Sequence, residues 1–503
     1  MPRLVRTTTA AEATDDGTWD PRLDLVVEVE EAPGHFVAAN GPFAGYQRTV
    51  TAEDDLVTEV VQYRMAPAVL LVPYGLLYWW GLRRPGRSRN LWWSPPEVFT
   101  PRAATVLSSL CAIGVVVGYL GTLLTQTVTF AAEEFGNSKG DQSLLLAVVR
   151  VSVLATLVLT AVADRRGRRK LLLVGVTVGC IASAAGGLAP DLFTMGASQL
   201  FVRAVVTTCT VVLFVVVAEE MPAGARAFGV SLLGLCGAFG VGICLMLLPL
   251  ADLSESSWRL LYFLSLAGLP VVWWMGRYLP ESRRFEVAHD DVPMAGHGQR
   301  LLLLAASAYL LNVFATPASQ LMNEFLRDER GYSATRISLF SLLTNTPGFI
   351  GVVVGARIAD LRGRKGVGAI AVIGGCGLTA LMVLSSGWPM WVLSLVGAII
   401  GAAAIPALGV YGPELFPTSL RGRANGAIAV AAVMGTVSGL VAAGMLQDRW
   451  GGLGKPLLVL SIGPLVMAGL VLAFYPETVH QQLEEINPED PALDEAVAAI
   501  PET

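Results

Sequence analysis

Charged residues are scarce in this chain. Asp, Glu, Lys and Arg make up 15% of its 503 residues, whereas hydrophobic residues make up 53%. A soluble globular protein carries about 25% charged residues, and here the apolar residues are also gathered into long blocks. These proportions exclude the soluble, disordered, collagenous and disulfide-framework classes. We therefore expect a polytopic membrane protein.

The sequence also lacks the patterns of cofactor chemistry. Its six cysteines all fall in apolar stretches, at spacings that suit neither a metal site nor a disulfide framework, so we expect buried free thiols. None of the four histidines lies within a predicted membrane helix, which excludes a histidine proton relay. No G-x-x-x-x-G-K-[ST] motif supports ATP-driven transport. We expect no catalytic residue, metal or cofactor and no nucleic-acid or ATP partner, but a monomer in the lipid bilayer that binds a small solute.

Acidic and basic residues are segregated along the chain. Residues 1–64 contain twelve acids and five bases, and residues 476–503 contain eight acids and no Lys or Arg. We expect both ends to be acidic and solvated, because the cationic surplus lies between the apolar blocks, where membrane topology explains it.

Twelve apolar segments after residue 100 are each long enough to cross a bilayer, which takes about 20 residues per helix. They lack a period of two, so they predict helices rather than barrel strands. Basic residues cluster in the loops that follow even-numbered segments, and the 3–4 and 9–10 loops contain none. The positive-inside rule therefore places those basic loops and the carboxyl tail in the cytoplasm of a multi-pass cell-membrane protein. The segments, numbered here as spans 1 to 12, lie near 103–129, 143–163, 171–189, 193–218, 226–250, 258–278, 301–325, 337–358, 367–386, 389–412, 425–446 and 456–475.

A further apolar run, Met65–Leu82, precedes the spans. Arginines follow it and the acidic tail precedes it, so the positive-inside rule favours a spanning helix with residues 1–64 outside. Against a span, no signal peptide precedes the run, and a charged tail would have to cross the membrane. The alternative is a re-entrant or interfacial helix. Within the tail, Leu23–Glu30 and Val50–Val61 are candidates for a small strand-and-helix unit.

Three short motifs occur twice, at a nearly constant offset of 195 or 196 residues. They are D-x-x-G-R-[RK] at 164–169 and 360–365, E-x-x-P-x-x-x-R at 219–226 and 414–421, and P-E-[ST] at 280–282 and 476–478. Such a repeat predicts two six-helix halves with the same loop chemistry at the same helix ends. The expected fold is an all-α polytopic membrane protein of two six-helix bundles, 12 core helices related by a pseudo-twofold repeat, with an extra N-terminal membrane helix as an open question. Its domains are the extension 1–64, the helix 65–82, the bundle 102–278, the cytoplasmic linker 279–300, the bundle 301–475 and the acidic tail 476–503.

These motifs resemble those of the major facilitator superfamily, and their combination resembles its sugar-porter and organic-ion transporter branch. The likeness covers roughly residues 102–486. One departure is that the Gly-Tyr-Asp common in the first helix of sugar porters reads Gly118-Tyr119-Leu120, without the acid. The resemblance implies a secondary transporter that works by alternating access, with spans 1, 4 and 7 around a central cavity.

The repeated charges at the cytoplasmic helix ends are candidates for a gating latch. Carboxylate–guanidinium pairs are bidentate and geometrically specific, so they can hold two halves together in one state and break in the other. The alternative is that the charges only fix topology and cap helices. The candidate latch residues are Asp164, Arg168, Glu219, Arg226, Asp360, Arg364, Glu414 and Arg421.

Polar side chains at helical spacing mark candidate cavity faces on spans 1, 4 and 7. The alternative is hydrogen bonding between helices, for which Ser, Thr and Asn are often used. An arginine at the depth of Arg203 is a functional candidate by default and would attract an anion, although it could instead pair with a carboxylate or snorkel outward. The candidate substrate-binding residues are Tyr119, Thr122, Gln126, Arg203, Thr207, Asn312, Thr316, Gln320 and Asn323, with Arg150 and Glu324 as candidates for coupling.

Three functions fit these features. The first is a secondary transporter, a symporter, for a small sugar-like or anionic organic solute. The second is multidrug or metabolite efflux on the same fold. The third is a membrane sensor that kept the fold without transport, which the missing acid in span 1 favours and the twofold repetition of the charge motifs disfavours.

Overall fold

The protein is described from a computed structural model. It describes residues 3–65, 79–83, 94–95, 97–137, 145, 148–149, 152–283, 293–322, 325–332, 334–450 and 452–490.

The N-terminal extension folds into an antiparallel sheet. Val50–Val61, a candidate segment of the small strand-and-helix unit, spans two strands that are joined at Asp54, where φ is +53°. The strands run in the order β1-β5-β4-β3-β2. A short helix, Ala10–Asp15, begins at a capping box in which Thr9 and Glu12 bond each other's backbone N–H groups. The strands are β1 (Arg3–Thr9), β2 (Val27–Ala32), β3 (His35–Asn40), β4 (Phe43–Glu53) and β5 (Leu56–Met65).

The rest of the described chain is helical. In these ranges, eleven helices are long and apolar enough to cross a membrane, and the predicted span 2 lies partly outside them. This finding confirms the predicted multi-pass helical fold. The helices are Pro101–Glu134 (span 1), Val153–Arg166 (span 2), Arg168–Gly186 (span 3), Leu192–Glu220 (span 4), Arg226–Leu247 (span 5), Arg259–Leu264 with Gly268–Tyr278 (span 6), Gly298–Gln320 (span 7), Ala334–Asn345 with Gly348–Arg362 (span 8), Arg364–Leu384 (span 9), Trp388–Ala402 with Ala404–Gly409 and Tyr411–Glu414 (span 10), Arg421–Trp450 (span 11), and Gly454–Leu460 with Ile462–Phe474 (span 12).

Short helices complete the core. Short 3₁₀-helices lie at Ala223–Ala225, Leu248–Leu253, Ser265–Ala267 and Met294–His297, a π-helical turn lies at Phe325–Glu329, and a last α-helical turn lies at Leu483–Ile486.

Glycines bring two pairs of helices into backbone contact. A Cβ on Gly240 of span 5 would lie 2.0 Å from the carbonyl oxygen of Val115 in span 1. In the second half, a Cβ on Gly439 of span 11 would lie 2.3 Å from the carbonyl oxygen of Val313 in span 7. The small-residue stripe of span 5 is therefore a packing surface, as close helix approach in membranes requires.

The extension packs against the end of the core at which spans 3, 5, 9 and 11 begin with Arg168, Arg226, Arg364 and Arg421, named here the arginine face. One hydrophobic cluster joins Phe43 of the sheet to Leu82, Phe99 and Phe228. Arg22, which is fully buried, donates from Nη1 to the carbonyl oxygen of Leu82 at 3.1 Å. The sheet and the start of span 1 therefore lie on the same side of the core.

This placement contradicts the expectation that residues 1–64 lie on the side opposite the basic loops. The positive-inside rule predicts an outer amino terminus only if Met65–Leu82 crosses the membrane once. The segments on either side of the run lie on the same face. Most of the run itself, residues 66–78, lies outside the described residues.

Candidate functional site

At the arginine face, Glu219 lies between two arginines from different halves of the chain. Arg168 of its own half donates to Oε2, and Arg421 of the second half donates to Oε1 at 2.6 Å. The hydroxyl of Ser282 donates to Oε2 at 2.7 Å. The side chain of Glu219 is fully enclosed. Each oxygen of one carboxylate thus binds one half of the molecule.

Glu414 repeats this arrangement in the second half. Arg364 of its own half donates to both carboxylate oxygens at 2.5 Å, and Arg226 of the first half donates to Oε1 at 3.1 Å. The hydroxyl of Thr478 accepts from Arg364 at 3.0 Å. The structural equivalence follows the sequence repeat, because each E-x-x-P-x-x-x-R motif supplies its glutamate to one site and its arginine to the other.

The two aspartates cap helices of the opposite half. Asp164 accepts from the backbone N–H groups of Gly422 and Arg423 at 3.1 and 2.9 Å, at the start of span 11. Asp360 accepts from the corresponding two N–H groups of span 5 at 3.3 and 3.0 Å. The first N–H groups of a helix have no partner within it and carry a partial positive charge, so a carboxylate there is stabilising.

The P-E-[ST] motifs have a role that the sequence did not assign. Glu281 accepts from the backbone nitrogen of Arg168 at 3.0 Å, and Glu477 accepts from that of Arg364 at 2.9 Å, so each caps the helix of the adjacent basic loop. The loop glycine before Arg364, Gly363, has φ of +113°, and a Cβ there would lie 2.7 Å from Glu477. The signal was present in the sequence as a third repeated motif.

The carboxyl tail is part of the network, although it was expected to be solvated. Asp490 is buried, accepts from Arg421 at 3.1 Å, and accepts from the backbone nitrogen of Thr418 at 2.9 Å. Asn487 is fully buried and donates to the carbonyl oxygen of Glu414 at 2.7 Å. These contacts correct the solvated-tail prediction at Asn487 and Asp490, whereas Glu477, Glu485 and Glu489 are exposed. Neither residue belongs to a repeated motif, so the sequence offered no signal for them.

The structure brings all eight candidate latch residues together, and each is at most 7% exposed. Two further bonds cross between the halves. Arg168 donates to the carbonyl oxygen of Thr418 at 2.9 Å, and Arg364 donates to that of Ala223 at 3.1 Å. Charges that only fixed topology would remain in water, because desolvating an ion costs several kcal/mol unless it is paired. The burial and the cross-half pairing therefore favour an interlocking role over a purely topological one.

A cavity of about 1350 Å³ lies between the halves. Its lining extends from Pro413 and Asn425, beside the charge network, to Gly242 and Met322 near the opposite ends of their helices. The network therefore closes one end of the cavity. Its aromatic lining residues are Phe214, Phe239, Phe314, Phe340 and Phe349, and its hydroxyl and amide residues are Thr210, Ser319, Ser341, Asn345, Thr346, Thr379, Ser394 and Asn425.

The polar side chains at helical spacing on spans 1, 4 and 7, named here the polar stripes, also include Thr210 and Ser319. Few of them line this cavity. In the described part of the chain, the lining takes Thr210 from the stripe of span 4 and Ser319 from that of span 7, and no residue from span 1. None of the nine candidate substrate-binding residues is among the lining residues of the described ranges.

In span 7, two of the candidate residues form hydrogen bonds, one within the helix and one to a neighbouring helix. Asn312 donates to a carbonyl oxygen one turn earlier at 2.8 Å, and Thr316 lies 3.0 Å, oxygen to oxygen, from Thr436 of span 11. Gln320 is exposed at the end of the helix. Interhelical hydrogen bonding, the alternative considered from the sequence, therefore describes Thr316.

In span 4, Arg203 is exposed and bridges to span 1. Its Nη1 donates to the carbonyl oxygen of Gly121 at 2.6 Å. Thr207 donates back to the carbonyl oxygen of Arg203 at 2.9 Å. Arg203 precedes the cavity residue Thr210 by seven residues, two helical turns, so the two share one face of span 4.

The span 1 candidates differ in exposure. Tyr119 is buried, and its hydroxyl donates to the carbonyl oxygen of Leu261 at 2.7 Å. Thr122 and Gln126 are half-buried. The remaining candidates, Arg150, Asn323 and Glu324, lie outside the described residues.

Comparison with known proteins gives one family. The family model described as Major Facilitator Superfamily matches residues 109–428 and 301–494. The chain is 26% identical over 363 residues to the gallate transporter of Pseudomonas putida, covering 62% of this chain and 77% of that protein. In fold it is similar to the proton:xylose symporter XylE (TM-score 0.65, 15% identity, 78% of this chain and 99% of that one). It is also similar to the human organic anion transporter MFSD10 (TM-score 0.58, 16% identity, 75% and 100%).

Proposed function

Because this chain belongs to the Major Facilitator Superfamily, we propose that it is a secondary transporter in the cell membrane. It moves a small organic solute by alternating access, and its arginine face and carboxyl tail lie in the cytoplasm. The cytoplasmic placement rests on the positive-inside rule, since the basic loops form that face.

The observation that carries the proposal is the division of the Glu219 and Glu414 carboxylates between the halves. Glu219 binds one arginine of each half, and so does Glu414. When the halves separate, each carboxylate loses the foreign arginine but keeps its own, so no buried acid is left without a counter-charge. Breaking a buried pair by removing one partner costs about 3–5 kcal/mol. The arrangement avoids that cost for the carboxylates, which suits a network that opens and closes.

The cavity favours a hydroxylated solute with an apolar face. Among the described residues its lining contains no acidic or basic side chain, and it combines several phenylalanines with hydroxyl and amide groups. Aromatic side chains pack on rings and carbon faces, and the hydroxyls and amides both donate and accept hydrogen bonds. Gallate and xylose, named for two of the similar transporters, are both hydroxylated.

We propose symport as the mode of coupling, as in the proton symporter XylE that the fold resembles. The sensor alternative is disfavoured, because a protein that does not cycle needs no carboxylates shared between halves. Efflux remains the second candidate on this fold and differs in the direction of net movement.

Uptake by purified protein in proteoliposomes tests the proposal. A panel of radiolabelled sugars and hydroxylated aromatic acids is offered with and without an imposed proton gradient, with protein-free vesicles as the control. We expect saturable uptake of a panel member that an inward proton gradient accelerates. Binding without movement across the membrane would support the sensor, and uptake that does not respond to the gradient would refute proton symport.

A further inference from the structure

Outside the network, one short segment contacts both halves of the core at the arginine face. This segment, named here the strap, consists of Ser94, Pro95 and Glu97–Phe99, which connect the N-terminal extension to span 1. The family match begins only at residue 109. The strap and the sheet before it therefore lie outside the region that the family model describes.

The strap binds the second half at its first residue. Arg357 of span 8 donates from Nη1 to the carbonyl oxygen of Ser94 at 2.6 Å. Ser94 is only 1% exposed. Arg357 precedes Asp360 by three residues, or nearly one turn of the helix. The anchor thus lies beside the aspartate that caps span 5.

The strap binds the first half through Glu97. Its Oε2 accepts from the backbone nitrogen of Gly224 at 2.8 Å. Gly224 lies in the single turn Ala223–Ala225, and the carbonyl oxygen of Ala223 accepts from Arg364 of the second half. One turn between spans 4 and 5 therefore holds the strap by its N–H group and the network by its carbonyl group.

Phe99 continues the contact with the first half. It is 1% exposed, and its ring centre lies 6.0 Å from that of Phe228. Phe228 is the residue whose backbone N–H donates to Asp360 at 3.0 Å. The strap therefore touches residues adjacent to the cross-half bonds at three points.

From these contacts we propose that the N-terminal extension regulates the transporter through the strap. A segment that contacts both halves binds the closed arrangement and loses contacts when the halves separate, so it shifts the population toward the closed state. The extension also holds the segment that precedes the strap in the chain, since Arg22 donates to the carbonyl oxygens of Gly81 and Leu82. The extension is a cytoplasmic restraint on opening, an inference that rests on the proposed alternating access.

The distance between the halves at the arginine face tests the strap. Spin labels are attached through non-natural residues at positions 170 and 362, which are exposed and lie in different halves, so that the native cysteines stay in place. The full-length protein is measured in lipid nanodiscs by pulsed dipolar spectroscopy. Glu414→Gln serves as the reference for an opened network.

Two variants weaken the strap from opposite sides. Glu97→Ala removes the acceptor, and Gly224→Ala introduces a Cβ that would lie 2.9 Å from the Glu97 carboxylate and so displaces it. A hydrogen bond to a charged group is stronger than one between neutral groups, so we expect each variant to raise the ratio of long to short distances about tenfold. Glu53→Ala, an exposed acid at the end of β4, is the matched control and should leave the ratio unchanged.

The outcomes separate the strap from the transport proposal. If Glu414→Gln opens the arginine face while Glu97→Ala and Gly224→Ala give the same distance ratio as the parent, the strap does not restrain opening. The proposal of alternating access then stands. If Glu414→Gln also leaves only the short distance, the network does not open, and both proposals fall.

Discussion

At the scale of single residues, Glu414 is the group on which the two halves depend most directly. Its carboxylate accepts hydrogen bonds from Arg364 and Arg226, and the glutamate is fully buried. Glu414→Gln leaves two buried guanidinium groups with a neutral amide, and loss of a buried partner costs about 3–5 kcal/mol. We expect the initial rate of uptake in proteoliposomes to fall at least about tenfold, while the protein still elutes as a single species in detergent.

Glu220→Gln is the matched control for that experiment. Glu220 also has an enclosed side chain and an arginine partner, Arg102 at 3.2 Å, but both residues belong to the first half. We expect uptake within about twofold of the parent. Equal losses in the two variants would mean that any buried ion pair at this face is needed for folding, and that sharing between halves has no special role.

Arg203 is the residue on which the hypothesis of an anionic solute rests. It lies on the same face of span 4 as the cavity residue Thr210, and its guanidinium donates to the carbonyl oxygen of Gly121. An arginine within a membrane helix is a functional candidate by default, and its positive charge attracts an anionic solute. We expect Arg203→Gln to lower the affinity for an anionic solute far more than Arg203→Lys does, as measured by competition of uptake. A cationic substrate, or two variants that transport like the parent, would exclude the anion hypothesis.

The eight candidate latch residues could be predicted to act together because each occurs twice in the repeated motifs. A topological charge needs no counterpart at a fixed offset, so the repetition of Asp164 as Asp360 and of Glu219 as Glu414 indicated a shared role. Asp490 could not be found in this way, since it occurs once in a tail whose other charges are typical of solvated segments. The cavity stripes were less informative, because hydroxyls that line a cavity and hydroxyls that bond a neighbouring helix, as Thr316 does, follow the same spacing.

At the scale of helices, spans 1 and 5 pack with their backbones in direct contact at Gly240. A Cβ on Gly240 would lie 2.0 Å from the Val115 carbonyl oxygen, far inside van der Waals contact, so the helices would have to move apart. Overpacking of this kind costs about 1–3 kcal/mol or more. We expect Gly240→Ala to lower the midpoint of thermal unfolding in detergent by several degrees, as followed by fluorescence.

Gly242→Ala is the control for helix propensity. It lies two residues away on the same helix, and a Cβ there meets nothing within 4 Å. Alanine is favoured over glycine in a helix by about 1 kcal/mol, so this variant should be neutral or slightly more stable. A lower midpoint in both variants would show that the effect is not due to the contact with span 1.

The membrane helices could be located from the sequence, whereas the bounds and pairing of the strands in the extension could not, for a physical reason. A membrane helix must satisfy every backbone group within itself and present apolar side chains to lipid, which leaves a long, unmistakable apolar run. The strands of the extension are short, and their pairing is decided by turns such as the one at Asp54 and by buried charges. Arg48 and Glu28, which look like surface residues in sequence, form a buried pair at 2.6 Å.

At the scale of the whole molecule, the position of the extension reverses the topology expected for the amino terminus. The sheet, the strap and the start of span 1 all lie at the arginine face. A local charge difference across Met65–Leu82 carries no information about tertiary contacts of the run and its flanks, such as that between Arg22 of the extension and Leu82 at the end of the run. The tertiary contacts show that the segments before and after the run lie at the arginine face.

The corrected topology predicts where an added cysteine reacts. Ala11 is exposed on the extension, and Glu255 is exposed in the loop between spans 5 and 6, at the end of the core opposite the arginine face. With an impermeant maleimide on intact cells, we expect Glu255→Cys to be labelled and Ala11→Cys to be labelled only after permeabilisation. Lys170→Cys, exposed at the start of span 3, should behave as Ala11→Cys does. Labelling of Ala11→Cys together with Glu255→Cys in intact cells would place the sheet on the outer side. An outer position of the sheet would be incompatible with the contacts between Phe99 and Phe228 and between Glu97 and Gly224. The proposal that the strap restrains opening would then lose its basis.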